Sequence, residues 1–502
     1  WAGAGTFDGS DAACKLIMTG AGASLNYLTG EVLGHLQIAN TSGTVTANVL
    51  TGTNNLEISS LEITTSGANF SAPSGTLTIN DRASAGYQLY VDDVNDLTHN
   101  DGTIDFRGSS GGASDIRLNG ASTSTKGFHD VIINASGRTI NIGSYPLTID
   151  GKLTLTNGTF NTSGSNYALT VTEEFDHTGG TFTSNSSTVT VRNLVITNTA
   201  STTFNAPDGS GMLNITGEGN SGSGDGYAFR RVSGAFVDNS GTVTFKTPTT
   251  TQIRMGTAGQ NFHNVIIDES SAGGLFYVND EGFTVTGDLT LTDGDFDTTL
   301  GTATPLIDIQ GNLTIGNNNT FGGITQTQTS DISIGSVDIG ASGATFKATS
   351  GTTTITSEKS DYAWTNARGD NGFVHNNGTV VIETAGDTQI KENKFYNLTI
   401  NLNSSTTDIT WRDISGNALK VYGDLTVTRG RFMSNTTSDS IDIYGNTYVA
   451  VSHATCWHDA DQDTNKITHH GLVTNFGTFK INDGTTVKLN GGIRQLGTLT
   501  IA

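Results

Sequence analysis

The residues best suited to chemistry lie in one stretch near the end of the 502-residue chain, CWHDADQDTNKITHH at 456–470. Asp459, Asp461, Asp463 and Asn465 alternate along it, so hard oxygen ligands can converge on a calcium ion as in an Asp-rich loop. Two features of such loops are missing: the glycine that turns the chain and the distant glutamate that closes the ion with two oxygens. A solvated insertion loop is the competing reading, and calcium is the one cofactor these residues suggest. Cys456, His458, His469 and His470 offer softer ligands for zinc, but their spacing matches no regular zinc pattern.

Other candidates are weaker. DGDFD at 293–297 places three carboxylates two apart, yet its counterparts in the chain are NGTFN and RGRFM, which reads as variable surface. A glycosidase needs two carboxylates held across one sugar bond, and no pair stands out among the scattered acids. No nucleophile elbow, phosphate loop or dinucleotide fingerprint occurs in a fitting context. Trp364, Trp411 and Trp457 are aromatics that could stack on sugars if exposed, although Trp364 lies in a recurring phrase whose neighbours suggest core packing. The Asn-x-Ser/Thr triplets at Asn134, Asn157, Asn161, Asn397 and Asn435 arise readily in so Asn- and Thr-rich a chain. A non-enzymatic protein is the expectation.

Composition narrows the class further. Glycine supplies 64 residues and proline 5, charged residues are 14% and hydrophobic ones 34%. Disorder pairs low hydrophobicity with high charge, and that charge density is absent here. The net charge of −22, with basic residues scattered singly, argues against nucleic acid as a partner. No apolar run approaches the roughly 18 residues of a membrane span. Two cysteines, Cys14 and Cys456, provide no disulfide framework. The start WAGAGTFDGS and the end GTLTIA read as those of a processed or partial chain.

The elements that would position any site come from internal repetition. FHDVIIN at 128–134 returns as FHNVIID at 262–268 and FYNLTIN at 395–401. LTIDGKLTLTNGTFNT (147–162) matches FTVTGDLTLTDGDFDT (283–298) and LKVYGDLTVTRGRFMS (419–434), with Gly151, Gly287 and Gly423 spaced 136 and 136 residues. LTHNDGTIDF (97–106), FVDNSGTVTF (236–245), FVHNNGTVVI (373–382) and LVTNFGTFKI (472–481) form a further set. Order-preserving recurrence of this kind marks duplicated modules. They run over 60–192, 193–335 and 336–466, with an incomplete module at 1–59 and a truncated one at 467–502.

Within a module, runs such as LTLT alternate apolar and β-branched polar residues, so Leu153 and Leu155 face inward while Thr154 and Thr156 face out. Runs of about 4–6 residues end at Gly, Asn or Asp. In Asn100–Thr103, Asn and Gly are the two types expected to accept positive φ at a corner. The pattern predicts an all-β chain: an elongated parallel β-solenoid (β-helix) of duplicated modules of about 137 residues. Tandem β-sandwich domains are the alternative. Near-continuous strands, one- or two-residue corners and modules that stop part-way favour the solenoid. With coils stacked at about 4.8 Å, the rod would be on the order of 100 Å long. The open edges of such a rod need covering, by another domain, another subunit or further chain.

Phrases such as FHDVIINASGRTINIGSYPLTIDGKLTLTNGTFNT and GGTFTSNSSTVTV (179–191) resemble the long Thr/Gly/Asn-rich structural proteins of tailed-bacteriophage virions, fibres and decoration proteins. They are also similar to repeats of filamentous-haemagglutinin-type adhesins. The likeness is one of style and repeat order over most of 33–502 and carries no functional residue. It implies a virion, extracellular or cell-surface location, and partners that are copies of itself, other subunits of one assembly or cell-surface glycans. The resulting expectation is a structural rod or scaffold, with a secreted adhesin or self-associating filament subunit second and a carbohydrate-processing enzyme third.

Overall fold

The computed structural model describes residues 14–109, 112–197, 202–219, 226–248, 250–256, 261–269, 274–279, 282–300, 306–323, 329–412, 418–435, 440–451, 453–459, 466–482 and 485–501. The chain divides into two compact units, Trp1–Lys246 with Arg254–Gln260, and Thr247–Ile253 with Asn261–Ala502. The division falls inside the second duplicated module. Each unit is all-β, and helical structure among the described residues consists of three-residue 3-10 turns such as Val94–Asp96 and Gly369–Asn371.

The described strands pair in parallel with strands of a neighbouring coil. In the first unit Leu147, Leu169, Val189, Leu213 and Val243 lie in one register column. Parallel pairing at this short separation is the geometry of a β-solenoid, and the antiparallel ladders of a sandwich are not what the strands form. Alternation does what the sequence predicts: Leu153 and Leu155 are buried, and Thr154 and Thr156 are partly exposed.

The core of each unit is a set of inward columns. Ile140, Phe160, Phe182, Phe204 and Phe236 stack in the first unit, with the later ring centroids 5.8, 4.8 and 5.7 Å apart. The second unit has its own ladder, Phe276, Phe296, Phe321, Phe346 and Phe373, at 4.9, 5.2, 5.3 and 5.7 Å. All but Phe236, at 4%, are 0% exposed. Burying one such ring stabilises the fold by roughly 1.5–3 kcal/mol, and each does so by covering its neighbours along the column.

The recurring phrases are corner devices. The Oδ1 atoms of Asp130, Asn264 and Asn397 accept hydrogen bonds from the next coil's amides at Lys152, Asp288 and Asp424, at 2.8, 2.9 and 2.9 Å. Gly151, Gly287 and Gly423 stand just before those amides, and a Cβ on any of them would collide with that same Oδ1. The FHD/FHN/FYN phrase and the glycine of the next phrase are therefore two halves of one contact. In two modules the device continues, from Asp288 to the amide of Asn312 and from Asp424 to that of Asn446, at 2.8 and 2.7 Å.

The Asn-x-Gly-Thr corner takes positive φ at its asparagine as expected, but at the following residue instead of the glycine. Asn100 and Asp101 both take positive φ (50° and 55°), as do Asn239 and Ser240 (49° and 56°) and Asn376 and Asn377 (48° and 60°). The asparagine tolerates this because its side chain bonds the previous coil: Nδ2 donates to the carbonyls of Ala72, Ala206 and Ala348 at 2.6, 2.7 and 2.6 Å. Gly102, Gly241 and Gly378 are needed for closeness instead of φ, since a Cβ would strike the carbonyl of Pro73, Pro207 or Thr349. A third glycine set does use positive φ: Gly158, Gly294 and Gly430, at 82°, 99° and 91°, follow a one-residue slip in register.

Candidate functional site

The Asp-rich stretch is only partly described. Asp461, Asp463 and Asn465 lie outside the described residues, and Asp459 ends the strand Ala454–Asp459 with its side chain likewise outside them. The flanking strands Ala454–Asp459 and Lys466–His469 place the softer ligands with precision.

Cys456 and His458 are two apart on the first strand, so both point inward; His469 points inward from the second. All three are 0% exposed. Nε2 of His458 lies 3.2 Å from Nε2 of His469 and 3.5 Å from Sγ of Cys456. Thr447 Oγ1 sits 2.7 Å from the far nitrogen, Nδ1, of His469. The ring of Phe479 covers both imidazoles at 5.4 and 5.6 Å between centroids. Burial holds all three uncharged: it pushes His458 well below the ordinary imidazole range, aided by His469, and His469 down to about 4, aided by His470, while the Cys456 thiol rises to about 12. His470 is not part of this cluster. It faces outward, exposed, with Asp442 Oδ1 at 3.4 Å.

The remaining sequence candidates resolve into structural roles. Trp364 and Trp411 are 0% exposed and cannot meet a ligand: Trp364 packs in the core as its recurring phrase suggests, and the reading of Trp411 as an exposed platform is corrected. Trp411 Nε1 donates to the carbonyl of Glu392 at 2.8 Å, a partner no spacing rule would reveal. Trp457 is half-buried with Lys480 Nζ 3.7 Å over its ring. In DGDFD, Asp297 is 1% exposed and caps the amides of Thr299 and Leu300, while Asp295 accepts from the amide of Thr320. These carboxylates are thus corner caps, not free surface.

Two polar features had no sequence signal. Glu392 is fully buried, and burial raises its carboxyl to about 7 despite hydrogen bonds from Asn366 Nδ2 (2.8 Å) and the amides of Asn393 and Lys394. An open groove of about 330 Å³ is lined by Lys15, His35, Ser60, Glu62 and Tyr87. Its Ser60 Oγ lies 2.6 Å from His35 Nδ1, but Ser60 is 2% exposed, so its hydroxyl serves the fold and is not presented to a substrate. On the outside, Tyr422, Tyr444 and His470 stack on successive coils at 5.7 and 4.8 Å with nearly parallel rings. All three remain exposed.

No protein-family model, curated protein or solved structure matches this chain. Among the described residues no helix is long and apolar enough to cross a membrane.

Proposed function

We propose that this chain is a non-enzymatic structural protein: a scaffold element of an exposed assembly, such as a fibre, appendage or decoration of a tailed-phage virion. One observation carries the reading. Polar side chains, from Asn100 and Asn376 at corners to the fully buried Glu392, hydrogen-bond one coil to the next. Parallel stacking gives each coil a stiff backbone connection to its neighbours, and an acidic, asparagine-rich exterior keeps such a surface in solution. Its partners on this reading are further copies or other subunits of the same assembly, with cell-surface glycans as the ligand class for any exposed loop. Localisation would be virion or extracellular.

Quantitative mass spectrometry of purified particles from the source, with antibody labelling in the electron microscope, tests this. A fixed copy number per particle and label at a constant external position are expected. Recovery only as free protein, or reproducible glycan depolymerisation by the purified chain, would overturn it. Label confined to cell surfaces would move the role to an adhesin.

A further inference from the structure

We propose that Cys456, His458 and His469 are ligands of a structural zinc ion built into one coil of the second unit. The positions are anomalous for their columns. His469 stands in register between Ile443 and Leu489, Cys456 between Phe432 and Phe479, and His458 between Ser434 and Ile481. Three metal-binding side chains thus replace core positions within a single coil, and they turn toward one another.

Two of the three separations within the trio fit an ion. Zinc–nitrogen bonds of about 2.0–2.1 Å and zinc–sulfur bonds of about 2.3 Å at tetrahedral angles put neighbouring ligands about 3.3–3.4 Å (N to N) and about 3.6 Å (S to N) apart. The observed Nε2–Nε2 and Nε2–Sγ distances are 3.2 and 3.5 Å. Thr447 Oγ1 engages Nδ1 of His469, the outer hydrogen bond that leaves Nε2 as the ligating nitrogen. Nδ1 of His458 is buried without a partner, so hydrogen bonding within the core leaves this cluster incompletely satisfied. As the side chains stand, no group of three or more His, Cys, Asp or Glu among the described residues is placed to hold a metal ion, so Cys456 and His469 would have to close around His458 for one to bind. The trio is an open chain, Sγ to Nε2 to Nε2, held by hydrogen bonds that an ion would replace. Binding would transfer the Cys456 thiol proton to solvent and leave a thiolate, with both imidazoles neutral as they already are.

The test uses the full chain, stripped with chelator and titrated with zinc chloride, then with cobalt(II). Expected are one zinc per chain by elemental analysis, a raised melting temperature, and a thiolate-to-cobalt charge-transfer band that Cys456→Ser abolishes. His469→Leu and His458→Ile lose the bound equivalent, and His470→Ala keeps it. Both histidine variants match an aliphatic neighbour in their columns, and metal-free melts check that they fold. Absence of bound zinc, absence of the cobalt band in the unmutated chain, or zinc retained by either histidine variant overturns the proposal.

Discussion

His177 lies in a column between Leu155 and Ile196, 0% exposed, with Nε2 3.1 Å from the carbonyl of Gly180. Burial pushes it down to about 4, from 6.5 in the unfolded chain. The unfolded state therefore binds more protons in that interval, so stability is full above pH 6.5 and drains as pH falls toward 4. At about 1.4 kcal/mol per pH unit the loss approaches roughly 3 kcal/mol. Glu392 acts with the opposite sign. Its carboxyl, raised from 4.5 to about 7, contributes stability that is full below pH 4.5 and lost as pH rises to 7. Urea melts of His177→Leu at pH 7.5 and 5 should show a smaller acid loss than the parent. An unchanged difference between the two pH values would contradict the buried neutral imidazole.

At the scale of strands and corners, the asparagine and glycine devices make sharper claims. Asn376→Ala removes a bond to the previous coil and puts alanine at φ 48°, so a loss of about 2 kcal/mol is expected. Asn376→Gly relieves only the backbone part and should recover about half, as denaturant midpoints would show. Gly287→Ala drives a methyl into Asn264 Oδ1 and should cost roughly 1–3 kcal/mol, whereas Asn264→Ala combined with Gly287→Ala should cost less than the sum. Strictly additive costs would mean that the two phrases do not form one contact. Much of this level was legible in the sequence. Two-residue alternation put Leu153 and Leu155 inside, and recurrence of FHD, FHN and FYN marked the corner. Positive φ at Asn100 was legible, but the role of Gly102 was not, because tolerance of positive φ and need for close approach both select glycine. Cys456, His458, His469 and His470 were visible as a candidate set, but that the first three meet and His470 faces out was not, because regular zinc spacings describe compact loops, while here the side chains meet from consecutive strands of one coil.

For the whole chain, fold followed from periodicity while function did not, since the proposed scaffold role would leave no reacting residues to find. Physical consequences of the stacking are still measurable. If each coil is stabilised by its neighbours along the column, damage should spread locally and fade with distance. Phe204→Ala, which opens a cavity between Phe182 and Phe236, is expected to cost about 3–5 kcal/mol. Hydrogen exchange of this variant against the parent, resolved along the first unit, is the most direct measurement of the claim. Stacked coils predict lost protection at Thr181–Thr183 and Ala235–Val237, with Leu56–Ile63, several coils away, still protected. Equal loss of protection at all three would show a single cooperative globule and contradict it.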